Sequence, residues 1–335
     1  MSGRVEKEEQ YENKCNNLLM KMPNIARVYY VYFKASDSKR TNVSCHTYLA
    51  KLGTYFNYLE INGIDPDDLS YYATVKPADI TMYLDYYRNS NGKKKKDSSV
   101  ALVVNVIKSF YSFLEDNGYI NRTPCGKINA PKTDNRIKPV YMDKAEIDKV
   151  KNYILYSEES FYNHNKNEEY WRLRDYLIFV LGCRTGLRCS AISAIDVDDI
   201  NFEDSSILVV EKGNVTRKVY FGSNTKDILV QWLNARRYIL DGELCDALLI
   251  SKFKTRISNQ RIIAIVKKYT SAVIPDKNIT PHKMRSTCAT NLWAETHDIY
   301  MVANQLGHRN LSNTKRYTDI SEKESRRVAN ILDEL

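Results

Sequence analysis

A stretch of polar and basic residues bracketed by Pro124 and Pro131 divides the chain into two parts. Proline favours extended backbone and ends helices, so residues 127–141 are predicted to form a basic linker. The length of 335 residues also exceeds what one hydrophobic core usually supports. We therefore predict two domains, residues 1–126 and residues 142–335, joined by this linker.

The first part is predicted to be helical. Aromatic and leucine side chains recur at near-helical spacing from Tyr48 to Leu59, and Asn62–Gly63 ends that run. A second helix is predicted from Pro77 to Arg88, because proline suits the first helical position. A third helix is predicted to open at Ser98 or Ser99 and to run to Gly118.

The second part is predicted to be mainly helical with a small antiparallel β-sheet. Asp143 and Glu146 form a capping-box pattern ahead of an amphipathic helix. Ser206–Val210 and Arg217–Phe221 are strand-like, and helices dominate from Ser223 onward. The predicted fold class is therefore mainly α, with a helical first domain and an α-rich second domain that contains the sheet.

Charge and cysteine usage limit the partners. The formal net charge is +9 and the pI is about 9.0, which favours nucleic acid, although a soluble protein with solvated lysines fits the same values. Seven cysteines without a Cys-x-x-Cys pair predict a reducing, cytoplasmic location and no zinc site. Met1–Gln10 lacks a secretory apolar run and Tyr176–Leu181 is too short to span a bilayer, so no membrane partner is predicted.

Thr280 and Pro281 predict the start of a helix, since threonine is a good N-cap and proline suits the next position. His282 and Arg285 then lie on one face of the first turn. A histidine, a guanidinium and a helix N-terminus together suit a phosphate. Two neighbouring surface side chains are the alternative for this motif by itself.

The segment around His308 suits a nucleophile. Gly307 is predicted to end a helix in a left-handed conformation, which places His308 in a loop. Ser312 is a candidate cap for the next helix, and Tyr317 is predicted to lie within it. A tyrosine hydroxyl can attack phosphorus when a nearby histidine assists it. The chain has 25 tyrosines, so only this context distinguishes Tyr317.

Two further cations complete the set. One helix is predicted to end near Gly182 and another to start after Thr185–Gly186, which puts Arg188 in a first turn, able to point at an anion. Lys212 lies in the predicted hairpin turn Lys212–Asn214. There it can reach into a groove and donate a proton, or it is simply a solvated turn residue.

In this order the segments resemble the tyrosine recombinase family, which includes phage-type integrases and two-domain Xer recombinases. The family's signatures appear as Thr185–Arg188, Lys212–Gly213, His282-x-x-Arg285, Leu306–His308 and Tyr317. The resemblance covers the whole catalytic half. The first part resembles the helical core-binding domain of that family in its layout only.

The resemblance implies a site-specific DNA recombinase or integrase. The tyrosine would attack the scissile phosphate to give a 3′-phosphotyrosine, the arginines would bind the phosphate oxygens, the lysine would protonate the leaving oxygen and the histidines would assist. No cofactor and no metal is implied, because the cationic side chains neutralise the developing charge. The implied catalytic residues are Arg188, Lys212, His282, Arg285, His308 and Tyr317.

The implied partners are a double-stranded DNA recombination site and further copies of this chain, because the family forms a tetramer on two DNA sites. An accessory DNA-bending or excision factor is a further partner that such enzymes can use. Two domains with a basic linker suit a clamp around duplex DNA. The lysine run also fits a solvated loop. The candidate DNA contacts are Lys93, Lys94, Lys95, Lys96 and Ser99.

The C-terminal segment is predicted to form an amphipathic helix that starts after a capping-box pattern at Ser321 and Glu324. In the family such a helix docks on a neighbouring copy, and packing on its own domain is the alternative. Its apolar face is predicted to contain Val328, Ile331, Leu332 and Leu335.

One position departs from the family pattern. The family usually has an acidic residue three positions after the first arginine, where this chain has Ala191. That acid is thought to hold the neighbouring arginine, so either a substitute such as Asp196 or Asp198 acts here or the enzyme is weaker. The alternative functions are type IB topoisomerase-like strand relaxation and a catalytically weakened, sequence-specific DNA-binding protein.

Overall fold

The computed structural model describes residues 2–37, 40–92, 94–131, 139–159, 162, 167–211, 215–308, 310–315 and 317. Within these residues the chain is mainly helical with a small antiparallel sheet, which confirms the predicted fold class. It divides into two compact units, Ser2–Asp134 and Asn135–Leu335. Residues 132–138 of the predicted linker lie outside the described residues. No described helix is both long and apolar enough to cross a membrane.

The first unit is helical, as predicted. The predicted run around Tyr48 lies in α3, which ends where Gly63 adopts a φ of 74°. The third predicted helix begins at Asp97, slightly before the serines, because Lys96 occupies the N-cap position. The described helices of this unit are α1 (Ser2–Leu19), α2 (Asn24–Ala35), α3 (Asn42–Ile61), α4 (Leu69–Thr74), α5 (Pro77–Asn89) and α6 (Asp97–Asp116).

Aromatic side chains fill the core of the first unit, and their polar ends find partners. The hydroxyls of the buried Tyr55 and Tyr111 are 2.6 Å apart. The hydroxyl of Tyr29 donates to Ser109 Oγ at 2.9 Å. A buried hydroxyl without a partner would oppose folding, so these pairs let tyrosine serve as a core residue.

The second unit combines helices with a three-stranded antiparallel sheet in the order β1-β2-β3. The predicted capping box is confirmed, since Glu146 N donates to Asp143 Oδ1 at 2.8 Å and Asp143 N donates to Glu146 Oε2 at 2.9 Å. The described elements of this unit are α7 (Lys144–Tyr156), α8 (Glu168–Thr185), α9 (Cys189–Ala194), β1 (Ile200–Asn201), β2 (Ser206–Glu211), β3 (Val215–Tyr220), α10 (Ser223–Leu240), α11 (Asn259–Val273), α12 (Pro281–Thr296), α13 (Ile299–Leu306) and α14 (Ser312–Lys315).

The two predicted strands pair with each other as β2 and β3. Ile207 lies opposite Val219, and both side chains are buried in the core of the unit. Leu208, on the alternate face, is exposed. Buried and exposed side chains therefore alternate along this part of β2, as expected for a strand with one face on the core.

Helix α8 is the central element of the second unit, and two of its glycines allow α12 to approach closely. A Cβ on Gly182 would lie 2.2 Å from Met284 Cε, and a Cβ on Gly186 would lie 3.2 Å from Cys288 Sγ. Met284 and Cys288 lie one turn apart on α12, as do the two glycines on α8. Gly186 also has a φ of 66°, which ends α8 in the left-handed conformation.

We expect Gly186→Ala to lower the free energy of unfolding of the second unit by about 2–5 kcal/mol. The left-handed backbone costs about 1–2 kcal/mol for an L side chain, and overpacking adds about 1–3 kcal/mol. A Cβ at this position would meet Leu306 Cδ2 at 2.8 Å. Urea unfolding followed by tryptophan fluorescence measures this unit alone, because Trp171, Trp232 and Trp293 all belong to it.

The matched control is Gly242→Ala in the same unit. Gly242 has a φ of 85°, and a Cβ there would meet nothing within 4 Å. This variant should therefore lose only about 1–2 kcal/mol from backbone strain. If Gly186→Ala and Gly242→Ala lower the free energy of unfolding equally, the close approach of α8, α12 and α13 does not contribute to the stability of the unit.

Candidate active site

Helix α12 begins as predicted, with Thr280 at the N-cap in extended backbone and Pro281 at the first helical position. The two predicted phosphate-binding residues of its first turn differ in burial. His282 is exposed, whereas Arg285 is only 2% exposed. The burial of Arg285 requires strong hydrogen-bond partners, because an unpaired charge in an apolar core is very costly.

Arg285 finds these partners at the ends of two helices. Its Nη1 donates to the carbonyl oxygen of Gly186 at 2.6 Å, and its Nη2 donates to the carbonyl oxygen of Leu306 at 2.5 Å. The carbonyls at a helix C-terminus lack intrahelical partners and carry partial negative charge. The guanidinium therefore joins the end of α8 to the end of α13.

Helix α13 ends in a Schellman motif that positions His308. Gly307 has a φ of 65°, its N–H donates to Asn304 O at 3.0 Å, and the N–H of His308 donates to Ala303 O at 2.9 Å. His308 thus lies just beyond the helix, as predicted from Gly307. Its Nδ1 is hydrogen-bonded to Thr314 Oγ1 at 2.8 Å.

Tyr317 lies beside His308. The two rings are nearly parallel, at 13°, with centroids 6.5 Å apart. The Tyr317 side chain is 4% exposed and packs with Val302 and Leu306 of α13. The prediction that Tyr317 lies within a helix is wrong, because α14 ends at Lys315. The Tyr317 N–H still donates to Thr314 O at 2.9 Å, so Tyr317 continues directly from that short helix.

Two boundaries near Arg188 also differ from the prediction. Helix α8 does not end near Gly182 but continues to Thr185, because Gly182 has helical neighbours on both sides and only Gly186 is left-handed. Arg188 is the N-cap of α9, with extended φ and ψ of −70° and 147°, and so precedes the first turn. Its carbonyl accepts hydrogen bonds from the N–H groups of Ala191 and Ile192 at 2.8 and 3.0 Å.

Lys212 and Gly213 lie outside the described residues, as do Lys93 and the C-terminal segment that contains Ser321 and the predicted docking helix. The strands that flank the predicted turn are described, and their terminal residues Glu211 and Val215 pair with each other.

The predicted DNA-contacting lysines fall into two groups. Lys94 and Lys96 are exposed. Lys95 is directed instead at the end of α5, where its Nζ donates to Tyr87 O at 2.8 Å, lies 4.2 Å from the centroid of the Tyr87 ring and also bonds the Ser90 hydroxyl. Ser99 is half-buried in the first turn of α6.

The environment of Ala191 contains two acidic candidates. Ala191 is buried at 6% exposure, and Asp198 is exposed. Asp196 is buried and its Oδ1 accepts a hydrogen bond from Arg256 Nη2 at 2.5 Å. Burial raises the pKa of the Asp196 carboxyl, but the hydrogen bond and charge of Arg256 outweigh it, so the pKa is below its ordinary value.

The chain is similar in sequence and fold to known proteins. The sequence profile of the Phage integrase family matches residues 155–324, about half of the chain. All of the predicted catalytic residues lie within that match. The chain belongs to the phage integrase family. Members are tyrosine recombinases, so the predicted family and enzyme class are confirmed.

Individual relatives extend the family match. Tyrosine recombinase XerC of Vibrio vulnificus is 30% identical over 225 residues, which cover 67% of this chain and 67% of the relative. The fold resembles that of XerH site-specific recombinase bound to a palindromic difH substrate, with a TM-score of 0.71, 19% identity and coverage of 97% and 89% of the two chains. It also resembles a lambda integrase tetramer bound to a Holliday junction, with a TM-score of 0.62, 15% identity and coverage of 85% and 76%.

Some residues of the site were not predicted from the sequence. Thr314 binds His308, and Gln305 Nε2 donates to Thr185 O at 3.1 Å, which adds a second link between α13 and the end of α8. The contact of Gln305 has no local sequence signal, because Thr185 lies 120 positions away. Thr314 lies only six positions from His308, and no motif in the sequence singled it out. Among the described residues, no group of three or more histidine, cysteine or acidic side chains is suited to hold a metal ion.

We expect Arg285→Met to lower the free energy of unfolding of the second unit by about 2–5 kcal/mol, because two buried carbonyls lose their donors. His282→Ala, at the exposed position of the same motif, should change it by less than about 0.5 kcal/mol. Urea unfolding followed by tryptophan fluorescence checks both values. Similar losses in the two variants would show that Arg285 does not hold the helix ends together.

Proposed function

We propose that this protein cleaves and rejoins DNA strands at a specific site through a covalent bond between Tyr317 and a DNA 3′-phosphate. One observation carries the proposal: the bonds of Arg285 to Gly186 O and Leu306 O. Gly186 lies two residues before Arg188, and Leu306 lies two residues before His308. A single guanidinium therefore ties together the segments that contain Arg188 and His308, and the His308 ring lies beside the Tyr317 ring.

In the proposed first step, the Tyr317 oxygen attacks the scissile phosphorus and the bond to the 5′-oxygen breaks. The products are a 3′-phosphotyrosine and a free 5′-hydroxyl. Lys212 is the proposed donor of the proton to that leaving oxygen. In the second step, the 5′-hydroxyl of another strand attacks the phosphotyrosine, which restores the tyrosine hydroxyl and joins the new strands. The phosphodiester bond energy is retained throughout, so no external energy source is required.

The charged groups stabilise the transition state. Arg188 and Arg285 are proposed to bind the non-bridging phosphate oxygens. A guanidinium has five N–H donors, so the two bonds of Arg285 to carbonyls are compatible with further bonds to phosphate. His308 and His282 are proposed to assist proton transfer and orient the phosphate. The stacking of the His308 ring beside the Tyr317 ring supports the assignment of this histidine to the nucleophile.

The proposal extends to the partners and the location. The substrate is a double-stranded DNA recombination site, and a tetramer on two sites carries out the exchange, with an accessory DNA-bending or excision factor as a further partner. Residues 127–141 link a core-binding domain, residues 1–126, to the catalytic domain, residues 142–335, whose C-terminal helix docks on a neighbouring copy. The location is cytoplasmic, as supported by the absence of disulfides among the seven cysteines, all of which are described.

We expect a nicked half-site duplex to trap a covalent protein–DNA complex that Tyr317→Phe cannot form, since phenylalanine lacks the attacking oxygen. The reaction should proceed with a chelator present. A denaturing gel that separates free protein from covalent complex provides the measurement. The matched control is Tyr300→Phe, which removes the hydroxyl of a 70% exposed residue of α13 and should leave the band intact.

The same assay separates the alternative functions. Strand exchange between two added sites supports recombination, whereas relaxation of one supercoiled duplex without exchange supports the topoisomerase-like alternative. Salt-sensitive DNA binding without any covalent band would support a catalytically weakened DNA-binding protein. A band of equal strength in Tyr317→Phe would contradict the assignment of the nucleophile.

We expect Lys94→Ala and Lys96→Ala each to reduce the slope of log affinity against log salt by about 0.9, because each exposed ammonium is proposed to neutralise one DNA phosphate. Binding measured at four or more salt concentrations provides the slopes. Lys21→Ala, an exposed lysine at the end of α1, is the control and should leave the slope unchanged. If the slopes of Lys94→Ala and Lys96→Ala both equal the slope of Lys21→Ala, then Lys94 and Lys96 do not contact DNA phosphates.

A further inference from the structure

Helix α9 depends on its surroundings for its position. It has six residues, Arg188 is its N-cap and Ile195 is its C-cap. A helix of this length is not stable by itself, because too few hydrogen bonds offset the cost of nucleation. The contacts that hold the C-terminal end of α9 therefore also set the position of the Arg188 backbone at its other end.

Arg256 holds that C-terminal end. Its Nη1 lies 3.1 Å from Ser193 O and 3.3 Å from Ile195 O, and it donates to these two carbonyls. Its Nη2 bonds Asp196, the residue that follows the helix cap. One guanidinium thus binds the last carbonyls of α9 and the carboxylate beyond them, which suits the negative end of a helix.

The segment that carries Arg256 is itself fixed to this region. Ser193 Oγ donates to Ile257 O at 2.6 Å, and Leu248 N donates to Ile195 O at 2.9 Å. The side chains of Arg256 and Asp196 are 15% and 10% exposed. Removal of the Asp196 carboxylate would take the acidic partner from a largely buried guanidinium, which displaces or destabilises the local structure.

Helix α9 has no acidic residue of its own, since it reads Cys-Ser-Ala-Ile-Ser-Ala and has Ala191 at the position where the family usually has an acid. We propose that Asp196 and Arg256 are positioning residues for Arg188, and that they fix α9 from its C-terminal end. Asp196 is the substitute acid, and it acts through Arg256 on the helix carbonyls. This inference rests on the proposed role of Arg188 in phosphate binding.

The test compares Asp196→Asn with a matched control, Glu168→Gln. Glu168 pairs with Arg172 at 3.0 Å, their side chains are 16% and 11% exposed, and Arg172 also binds the carbonyls of Ile154 and Glu159. Glu168→Gln therefore breaks a similarly buried ion pair between a carboxylate and a guanidinium in the same unit, but this pair does not bind α9. Arg188→Ala provides the reference for complete loss of the arginine.

We expect Asp196→Asn to slow single-turnover cleavage of a nicked half-site at saturating protein by about 10- to 100-fold, because small displacements of a phosphate-binding group are costly. Its affinity for DNA should change less than about 3-fold, since most of the affinity comes from other phosphate contacts. Glu168→Gln should lose similar thermal stability and cleave within about 2-fold of the wild-type rate. An equal slowing in both variants would overturn the proposal.

Two additional measurements keep the test decisive. One applies if Asp196→Asn folds poorly, and the other applies if the proposed function itself is wrong. Arg256→Lys keeps a positive charge but cannot bridge the carboxylate and both carbonyls, so it should slow cleavage with less loss of stability. If wild-type protein forms no covalent complex, the proposed function fails and hydrogen exchange tests the positioning alone. Faster exchange of the α9 amides in Asp196→Asn than in Glu168→Gln supports it, and equal exchange in the two variants overturns it.

Discussion

The second unit depends on a positive charge buried between two helix ends. The Arg285 guanidinium is 2% exposed and donates to Gly186 O and Leu306 O. Arginine suits this position because its planar fork presents separate donors in fixed directions, whereas a lysine ammonium is a point charge on a flexible stem. The buried guanidinium is stable only because the two carbonyl oxygens accept its hydrogen bonds. The two carbonyls lie at helix ends, where no backbone N–H of the helix is available, so they in turn depend on the guanidinium as donor. The same interaction therefore stabilises the fold and brings the proposed phosphate-binding segments close to Tyr317, the proposed nucleophile.

Helix packing makes this arrangement attainable. Gly182 and Gly186 let Met284 and Cys288 approach the backbone of α8, and Arg285 follows Met284 directly in α12. One stretch of α12 thus contributes both to the core and to the site. Since Arg285 reaches the same turn that Gly186 forms, the geometry of the site cannot be adjusted without changing the packing between the two helices.

Local signals predicted most of the fold. The capping box at Asp143, the left-handed end at Gly307 and the strand-like segment at Ser206–Val210 each depend on neighbouring residues, and each is confirmed. The end of α8 was misplaced because Gly182 looks like a helix terminator but serves as a packing glycine. The contact between Asp196 and Arg256 spans 60 positions, so no local pattern predicts it. The inward turn of Lys95 was missed because it depends on how the chain returns to Tyr87, eight positions earlier in the preceding helix.

Beside the exposed Lys94 and Lys96, Lys95 binds Tyr87 and Ser90, which are its near neighbours in the chain. The proposed catalytic frame instead draws on α8, α9, α12 and α13 at once. The effects of substitutions should therefore combine differently in the lysine loop and in the proposed catalytic frame. A change at one exposed lysine such as Lys94 leaves the packing of its neighbours intact, so its effect is independent of changes elsewhere. A change in the frame alters several helices at once, so its effect depends on which residues occupy the other positions of the frame.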